Sequence, residues 1–580
     1  MIGARAKYWL TWEQWLILVL AAAVLIPGAW WGLPNARRIE LLLAGDPLSG
    51  DEMREITHLR EQSRVGFLAK RVIQVDKFSR SEQAELIPRT DQTGELLTRE
   101  ERWRAFYDFA SRSSAVDEGN TYSALARMRP RVLDLDPGIY IYGGSYLYPL
   151  GALLMALKLA GAFTVTRDLG YLLQHPSDMA RIIVTGRYLN VLAFLASLAL
   201  LARLGASLGG RVTAGVAMLG YAFSTVALNQ AVVSKPHIYA AFFSLLSVYW
   251  LIRSTDGTGI RWLALSAAAA GWSAGASLPS ALIALMYPVF VFRRADMVTS
   301  LRWLSLAGLI MGAMFVVTNP YALIRFDDYY FTLFSHASGG GWGYGQVSVG
   351  KLFGFLNDVF TKGYCFPVSL LAAGALLGSL RQTDPTKQRL GLATISMLVA
   401  TGMTVAVLRI TLFLGPLLSL FAGLAAAELV RWAGARWRPV AIAGLVVLFA
   451  PGAIFAGLFA RDTIWSEAWY EPARAWLETV RPGQMTTFGT LGVPHPVNTP
   501  PFSFVHSQIV NLLHYSGANG SPEYVVLGNF DGDRNWWEGH SLRSKYELVA
   551  TLGVRASYDW ALRWRVESEA RIAGWVYKRR

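Results

Sequence analysis

Between residues 12 and 460 the chain returns repeatedly to apolar runs of membrane-spanning length, near 12–31, 146–164, 186–202, 212–229, 237–252, 262–276, 278–292, 303–318, 366–380, 390–408, 410–430 and 439–460. A hydrocarbon core about 30 Å thick takes roughly 20 helical residues. Lipid offers the backbone no hydrogen bonds, so each such run must be helical. Composition agrees, with 53% hydrophobic residues and only 16% charged, against about 25% charged in soluble proteins. A soluble globular chain is excluded. The formal charge of +14 suits basic connections beside anionic headgroups, and no nucleic-acid partner is expected. The single cysteine, Cys365, excludes an internal disulfide and any CxxC metal motif.

The start, "MIGARAKYWLTWEQWLILVLAAAVLIPGAWWG", has a basic flank in Arg5 and Lys7 but no small-residue cleavage site, so it reads as a first membrane helix with a cytoplasmic N-terminus. The basic connections Arg203/Arg211, Arg253/Arg261, Arg293/Arg294/Arg302, Arg381/Lys387/Arg389 and Arg431/Arg436/Arg438 fall on one side if the runs alternate. That side is expected to be cytoplasmic. A conflict of parity follows, because twelve crossings return the tail to the inside whereas the basic connections put it outside. The conflict lies between 142 and 203, where "TRDLGYLLQHPSDMARIIVTGRYL" hides an extra or a re-entrant segment, and an odd total of about 13 is expected.

The expected architecture is an all-α polytopic membrane protein. It divides into a first membrane helix (1–34), a large outer loop (35–142), a helical bundle with a second outer loop at 319–364 (143–460) and a C-terminal outer domain (461–580). In that last region "EAWYEPARAWLETV", the "RPG" turn, "EYVVLG" and "AGWVYKRR" read as a small α/β fold.

Chemistry concentrates in one stretch, "VDEGNTYSALARMRPRVLDLDPGIYIYGGSYLYPLG", residues 116–151. It sets Asp117, Glu118, Asp134 and Asp136 before an apolar run that begins with Tyr142 and Tyr146. Charge beside a membrane span is costly and marks sites or pathways. A carboxylate there can accept a proton from an attacking hydroxyl. The structural alternative makes Asp117 a helix N-cap and gives Asp134 and Asp136 to a turn before Pro137, with Arg127, Arg129 and Arg131 as partners. At other outer span ends lie Lys235 and His237 in "SKPHIYAAFF" and Arg409 in "RITLFLGP". Each can meet a phosphate, or serve as a satisfied helix-start histidine or a snorkelling arginine. The segment "RFDDYYFTLFSHASGGGWGYG" combines Asp327, Asp328 and His336 with aromatics. Its spacing suits an interfacial loop better than a metal site, and no metal is assigned.

The outer "DE", then "ALARM", then "YGG" and "YLYPLG" running into the next span, resembles the polyprenyl-phosphate-sugar-dependent glycosyltransferases of the GT-C fold. That group contains the protein O-mannosyltransferases and the lipid A aminoarabinose transferase. The resemblance extends to the layout of one helix, a large outer loop, a bundle and an outer C-terminal domain. It implies an inverting transfer of a sugar from a polyprenyl-phosphate-linked donor to a hydroxyl on a glycan, lipid or protein. The setting it implies is the outer face of a bacterial inner membrane. It further implies Asp117 as general base with Glu118 as neighbour or substitute, and Asp134, Asp136, Tyr142, Tyr146, Lys235, His237 and Arg409 on the substrate side, with no resident cofactor assigned. Where related enzymes carry an Arg-Tyr pair before Leu-Pro, this chain has "RITLFLGP", lacking the tyrosine and displacing proline to Pro416. Two other classes remain open. A lipid-linked-sugar transporter needs ionisable residues within spans or matching broken halves, and a noncatalytic subunit of an envelope-glycan assembly would leave Asp117 a plain cap.

Overall fold

The computed structural model describes residues 10–43, 47–69, 96–464, 486–552 and 574–580, apart from 116, 167, 257–258, 293–295, 331, 333–346, 364–365, 406, 408–409, 497–498, 500–502, 505–506, 518–519 and 529–535. It is mostly helical, with a small C-terminal sheet. The helices used below are α1 (Trp12–Gly28), α2 (Glu118–Arg127), α3 (Gly144–Leu159), α4 (Pro176–Gly209), α5 (Pro236–Arg253) and α6 (Gly259–Ala276). They continue with α7 (Met297–Thr318), α8 (Phe366–Ser379), α9 (Pro385–Thr404), α10 (Gly415–Trp432) and α11 (Gly434–Ile464). Each apolar run of the sequence falls on a helix, the 212–229 run on a pair, Arg211–Ala222 and Thr225–Ala231, bent by 65°. By length and composition four described helices can cross a membrane, Pro176–Gly209, Met297–Thr318, Leu412–Trp432 and Gly434–Arg461, or five if the bent pair is one span.

Helices α1 and α4 run antiparallel and are pinned at both ends. At one end Arg211 Nη2 meets Glu13 Oε1 at 3.1 Å. At the other, Arg187 Nη1 donates to the carbonyls of Ala29 (3.0 Å) and Trp31 (2.5 Å), just past the end of α1. The helical part of that interval, Arg187 to Gly209 at 1.5 Å per residue, is roughly 33 Å, about the thickness of a hydrocarbon core with its margins. Arg187 and Arg211 therefore mark two opposite levels of the bundle, named outer and inner below after the side expected from the sequence. Farther along the bundle, α5 and α6 join through small hydroxyls, Ser244 with Ser273 (2.8 Å) and Ser247 with Ser266 (3.1 Å), the close polar packing that lipid-embedded helices use.

Helix α3 departs from the alternation expected of the runs. Its N-terminus lies at the outer ends of α6 and α7, where Gly143 N donates to Ala276 O (3.1 Å) and Gly144 N to Asn319 Oδ1 (2.7 Å). The chain just past its C-terminus returns to the outer part of α4: Arg181 Nη1 reaches Ala162 O (3.3 Å), and Thr164 N reaches Asp178 Oδ2 (2.9 Å). Arg181 stands beyond Arg187 toward the outside, so both ends of α3 sit at the outer level.

The two outer regions form one body. The C-terminal sheet has strands β1 (Thr486–Thr490), β2 (Ser507–Asn511), β3 (Tyr524–Leu527), β4 (Tyr546–Leu552) and β5 (Gly574–Arg579) in the order β2-β1-β3-β5-β4. The β1–β2 and β1–β3 pairs are parallel, and the pairs on β5 are antiparallel. β3 and β5 carry "YVVL" and "GWVYKR", the runs read as strands; "EAWYEPARAWLETV" and "RPG" lie outside the described residues. The first outer loop supplies Ile39, Leu42, Trp103, Phe106 and Phe109 to a core shared with Phe488, Phe504, Ile509 and Tyr524 of the sheet region. Leu97 N also donates to Ile509 O (2.9 Å), and Phe504 N to Leu42 O (3.1 Å). Apolar burial across that seam is what joins them.

Candidate functional site

Glu118 and Asp117 are neighbours with opposite fates. Glu118 opens α2 and is 1% exposed. Its Oε1 accepts from Arg187 Nε (2.8 Å) and the Ser234 amide (2.6 Å); its Oε2 accepts from Arg187 Nη2 (2.7 Å) and from the Ser113 hydroxyl. A forked guanidinium on a carboxylate is a strong, geometry-fixing pair. Since Arg187 also binds the two carbonyls after α1, one residue of α4 ties α1 to α2. The carboxylate of Glu118 is thus taken up by four donors.

Asp117 occupies the N-cap position of α2, as its sequence allows, but its side chain makes no cap hydrogen bond. Its backbone is left-handed, φ 60° and ψ −1°, a conformation that Asp and Asn tolerate better than most residues. The Asp117 side chain keeps 27% exposure and lies 3.5 Å from Lys235 Nζ, itself 1% exposed.

Lys235 is placed by a loop held on every side. Asn190 of α4 donates to the carbonyls of Val233 (2.6 Å) and Lys235 (2.7 Å), and Thr121 of α2 donates to Ser234 O (2.8 Å). The Tyr146 hydroxyl of α3 meets Ser234 Oγ at 3.0 Å. Pro236 then starts α5, where proline's fixed φ and missing N–H cost nothing. His237, in the first turn, is buried and lies edge-to-face with Tyr142 at 6.2 Å. Asp117, Glu118, Tyr142, Tyr146, Lys235 and His237 therefore gather around the outer ends of α2, α3, α4 and α5.

Asp134 and Asp136 belong to the adjoining turn. Asp134 takes two hydrogen bonds from Arg129, Nη2 at 2.6 Å and Nε at 3.1 Å, and the backbones of 129 and 134 pair. The Arg129 bonds hold its carboxyl below the usual range, outweighing the upward effect of burial. Asp136 Oδ1 accepts from Gly138 N and Tyr140 OH, both at 2.9 Å, and its Oδ2 faces Arg325 Nε at 3.8 Å. Burial, then the charge of Asp136, pushes the Tyr140 hydroxyl up. Both aspartates thus have hydrogen-bond partners within the turn. Arg409 and His336 lie outside the described residues.

Arg187, Asn190 and Ser234 were not among the residues singled out from the sequence. An arginine inside the apolar run that follows "RIIVTG" was the available signal, because buried charge in a span demands a partner. Among the described residues no group of three or more His, Cys, Asp or Glu could hold a metal. A cavity of about 540 Å³ between α8 and α10 is not lined by Asp117.

No family model matches the chain, and no curated protein does. Among solved structures it is similar to ArnT from Cupriavidus metallidurans bound to undecaprenyl phosphate, at 13% identity and a TM-score of 0.44 over 98% of each chain. It is also similar to the Archaeoglobus fulgidus oligosaccharyltransferase in complex with zinc and sulfate, at 13% identity and a TM-score of 0.38, over 59% of this chain and 47% of that one. The chain thus spans less than half of that protein. Archaeal oligosaccharyltransferase AglB from the same organism, with an inhibitory peptide and a dolichol-phosphate, gives 12% identity and a TM-score of 0.39 over 59% and 50% of the two chains. The functional reading of this chain rests on its own residues.

Proposed function

We propose that this chain is an inverting membrane glycosyltransferase of the GT-C kind, with Asp117 as general base, acting on a polyprenyl-phosphate-linked sugar from the outer face. The observation that carries the reading is the division of labour in the "DE" pair. Glu118 is spent on Arg187, while the chain adopts a left-handed residue to leave the Asp117 carboxylate uncapped and partly exposed beside Lys235. Backbone strain of this kind persists where surrounding contacts over-determine it, and it collects at functional sites. A plain cap would have used its side chain on the helix.

In the reaction, Asp117 takes the proton of an acceptor hydroxyl as its oxygen bonds to the anomeric carbon from the face opposite the phosphate. The bond from that carbon to the phosphate oxygen breaks, and polyprenyl phosphate leaves with the electron pair. Lys235 and His237, at the start of α5, are the groups proposed to meet the phosphate, and Arg409, outside the described residues, is proposed for the same role on its sequence alone. Asp134 and Asp136 shape the loop over the site in this reading, and Tyr142 and Tyr146 its wall.

For the membrane, we infer eleven crossings against the expected 13, adding to the four or five spans that pass by length and composition the shorter or less apolar helices packed beside them: α1, α4, the bent pair, α5, α6, the 278–291 helices, α7, α8, α9, α10 and α11. Helix α3 does not cross because both its ends contact outer residues. The total stays odd, and the C-terminal body falls on the side of Asp117, as the basic connections require.

The test is release of free polyprenyl phosphate from a panel of polyprenyl-phosphate-linked sugars by the purified protein. Asp117→Asn keeps size and tolerance of the left-handed backbone while removing the base. The expected result is a rate lowered by about 10² to 10⁴ in a variant that still elutes as a folded, monodisperse protein. A variant as active as the wild type sinks the proposal.

A further inference from the structure

We propose that the groove between α8 and α10 is a binding site for one anionic phospholipid of the leaflet opposite the catalytic face. The cavity measures about 540 Å³ and is walled by Gly374 and Gly378 of α8 against Leu424 and Leu429 of α10. Its residues belong to the inner end of the bundle, since Leu424 packs against Gly209 at the end of α4, next to the Arg211–Glu13 pair. Gly374 and Gly378 are exposed, and a methyl group added at either would meet no atom within 4 Å. The void therefore opens on the bundle's outer surface. Both helices that form it are apolar, so that surface faces lipid.

Such a hollow is not left empty in a bilayer. Water in a mostly apolar groove lacks the two to four polar partners it needs, so an acyl chain is the natural filling. The polar groups at the mouth choose the headgroup. Gln382 and Lys387 line it together with Glu428 and Trp432. Two negative charges there are already engaged: Glu428 pairs with Arg431, and Asp384 caps α9 by accepting from the amides of Thr386 (2.9 Å) and Lys387 (3.4 Å). The Lys387 ammonium stands 4.0 Å from Asp384 with its side chain mostly buried. It sits in the first turn of α9, a 20-residue helix whose N-terminal end also favours an anion. Trp432 is 87% exposed, as an aromatic at a membrane interface would be. A lysine at the mouth of a groove between membrane helices is a group that can hold an anionic headgroup there.

The site is tested by native mass spectrometry of the delipidated full-length protein titrated with phosphatidylglycerol or phosphatidylcholine. The wild type is expected to retain one phosphatidylglycerol in preference to phosphatidylcholine. Filling the groove with the double substitution Gly374→Leu, Gly378→Leu should cut that retention at least about tenfold without lowering the unfolding temperature, given the open space at both positions. Lys387→Gln should reduce the preference for phosphatidylglycerol about fivefold, the worth of one basic residue at a membrane surface, and it decides the question if the filled variant does not fold. Equal binding of the two lipids by the wild type overturns the proposal. So does a folded filled variant that retains lipid as the wild type does, or Lys387→Gln with an unchanged preference.

Discussion

At the scale of single residues, one peptide unit separates a structural carboxylate from the proposed catalytic one. Glu118 is sealed with Arg187 at 1% and 0% side-chain exposure. Removing one partner of a buried pair leaves an uncompensated charge, which costs roughly 3–5 kcal/mol. Glu118→Gln is therefore expected to lower the unfolding temperature in detergent sharply. The double substitution Glu118→Met, Arg187→Met, which removes both charges, should recover much of the loss; if it is less stable than Glu118→Gln, the pair is not what holds α1, α2 and α4 together. The sequence made the acidic pair legible as a pair, because two adjacent carboxylates before a span are rare. It did not show which of the two would be sealed with the arginine and which would stay partly exposed beside Lys235. That depends on a left-handed turn at Asp117 and on an arginine that arrives from a helix 69 positions away in the chain.

At the scale of elements, apolar run length marked out the helices well, because the bilayer demands length and lipid demands helix. It failed to say which helices cross. Helix α3 is as apolar as its neighbours, yet tertiary contacts hold both its ends near the Arg187 end of the bundle, and no local pattern encodes that. The glycines of "YGG" explain how it is seated. Gly143 and Gly144 let the start of α3 approach the backbone at Gly275 and Thr318 so closely that a side chain on either would collide with a carbonyl oxygen. Backbone cannot yield as a flexible side chain can. Gly143→Ala is expected to abolish a monodisperse peak in size-exclusion chromatography, whereas Gly308→Ala, where an added methyl meets nothing within 4 Å, should leave the peak intact. Equal behaviour of the two variants would mean that α3 is not anchored at this contact.

At the scale of the whole molecule, the outer body couples two regions separated by the entire bundle, and one histidine sits near their seam. His495 of the sheet region feels Asp108 and Arg112, residues of the outer loop joined to each other at 2.9 Å. Desolvation pushes its imidazole down to about 4, outweighing the upward pull of Asp108, with Arg112 adding to the fall. The sign follows from proton counting. Between about 6.5, the value of an unfolded histidine, and about 4 the unfolded outer body binds a proton that the folded one refuses. Stability from this group is thus complete above the upper value, lost as pH falls through the interval, and level below it. The loss has a ceiling of roughly 3 kcal/mol, lowered by whatever solvent reaches the half-buried ring. Carboxylates titrate in the same region, so the informative quantity is the difference between wild type and His495→Gln in hydrogen-exchange protection of β1 and β2, followed from pH 7.5 to 4.5. The wild type should lose protection more steeply than the variant across that range. Parallel curves would mean that the two outer regions are not coupled through this histidine, and that the seam is held by its shared apolar core alone.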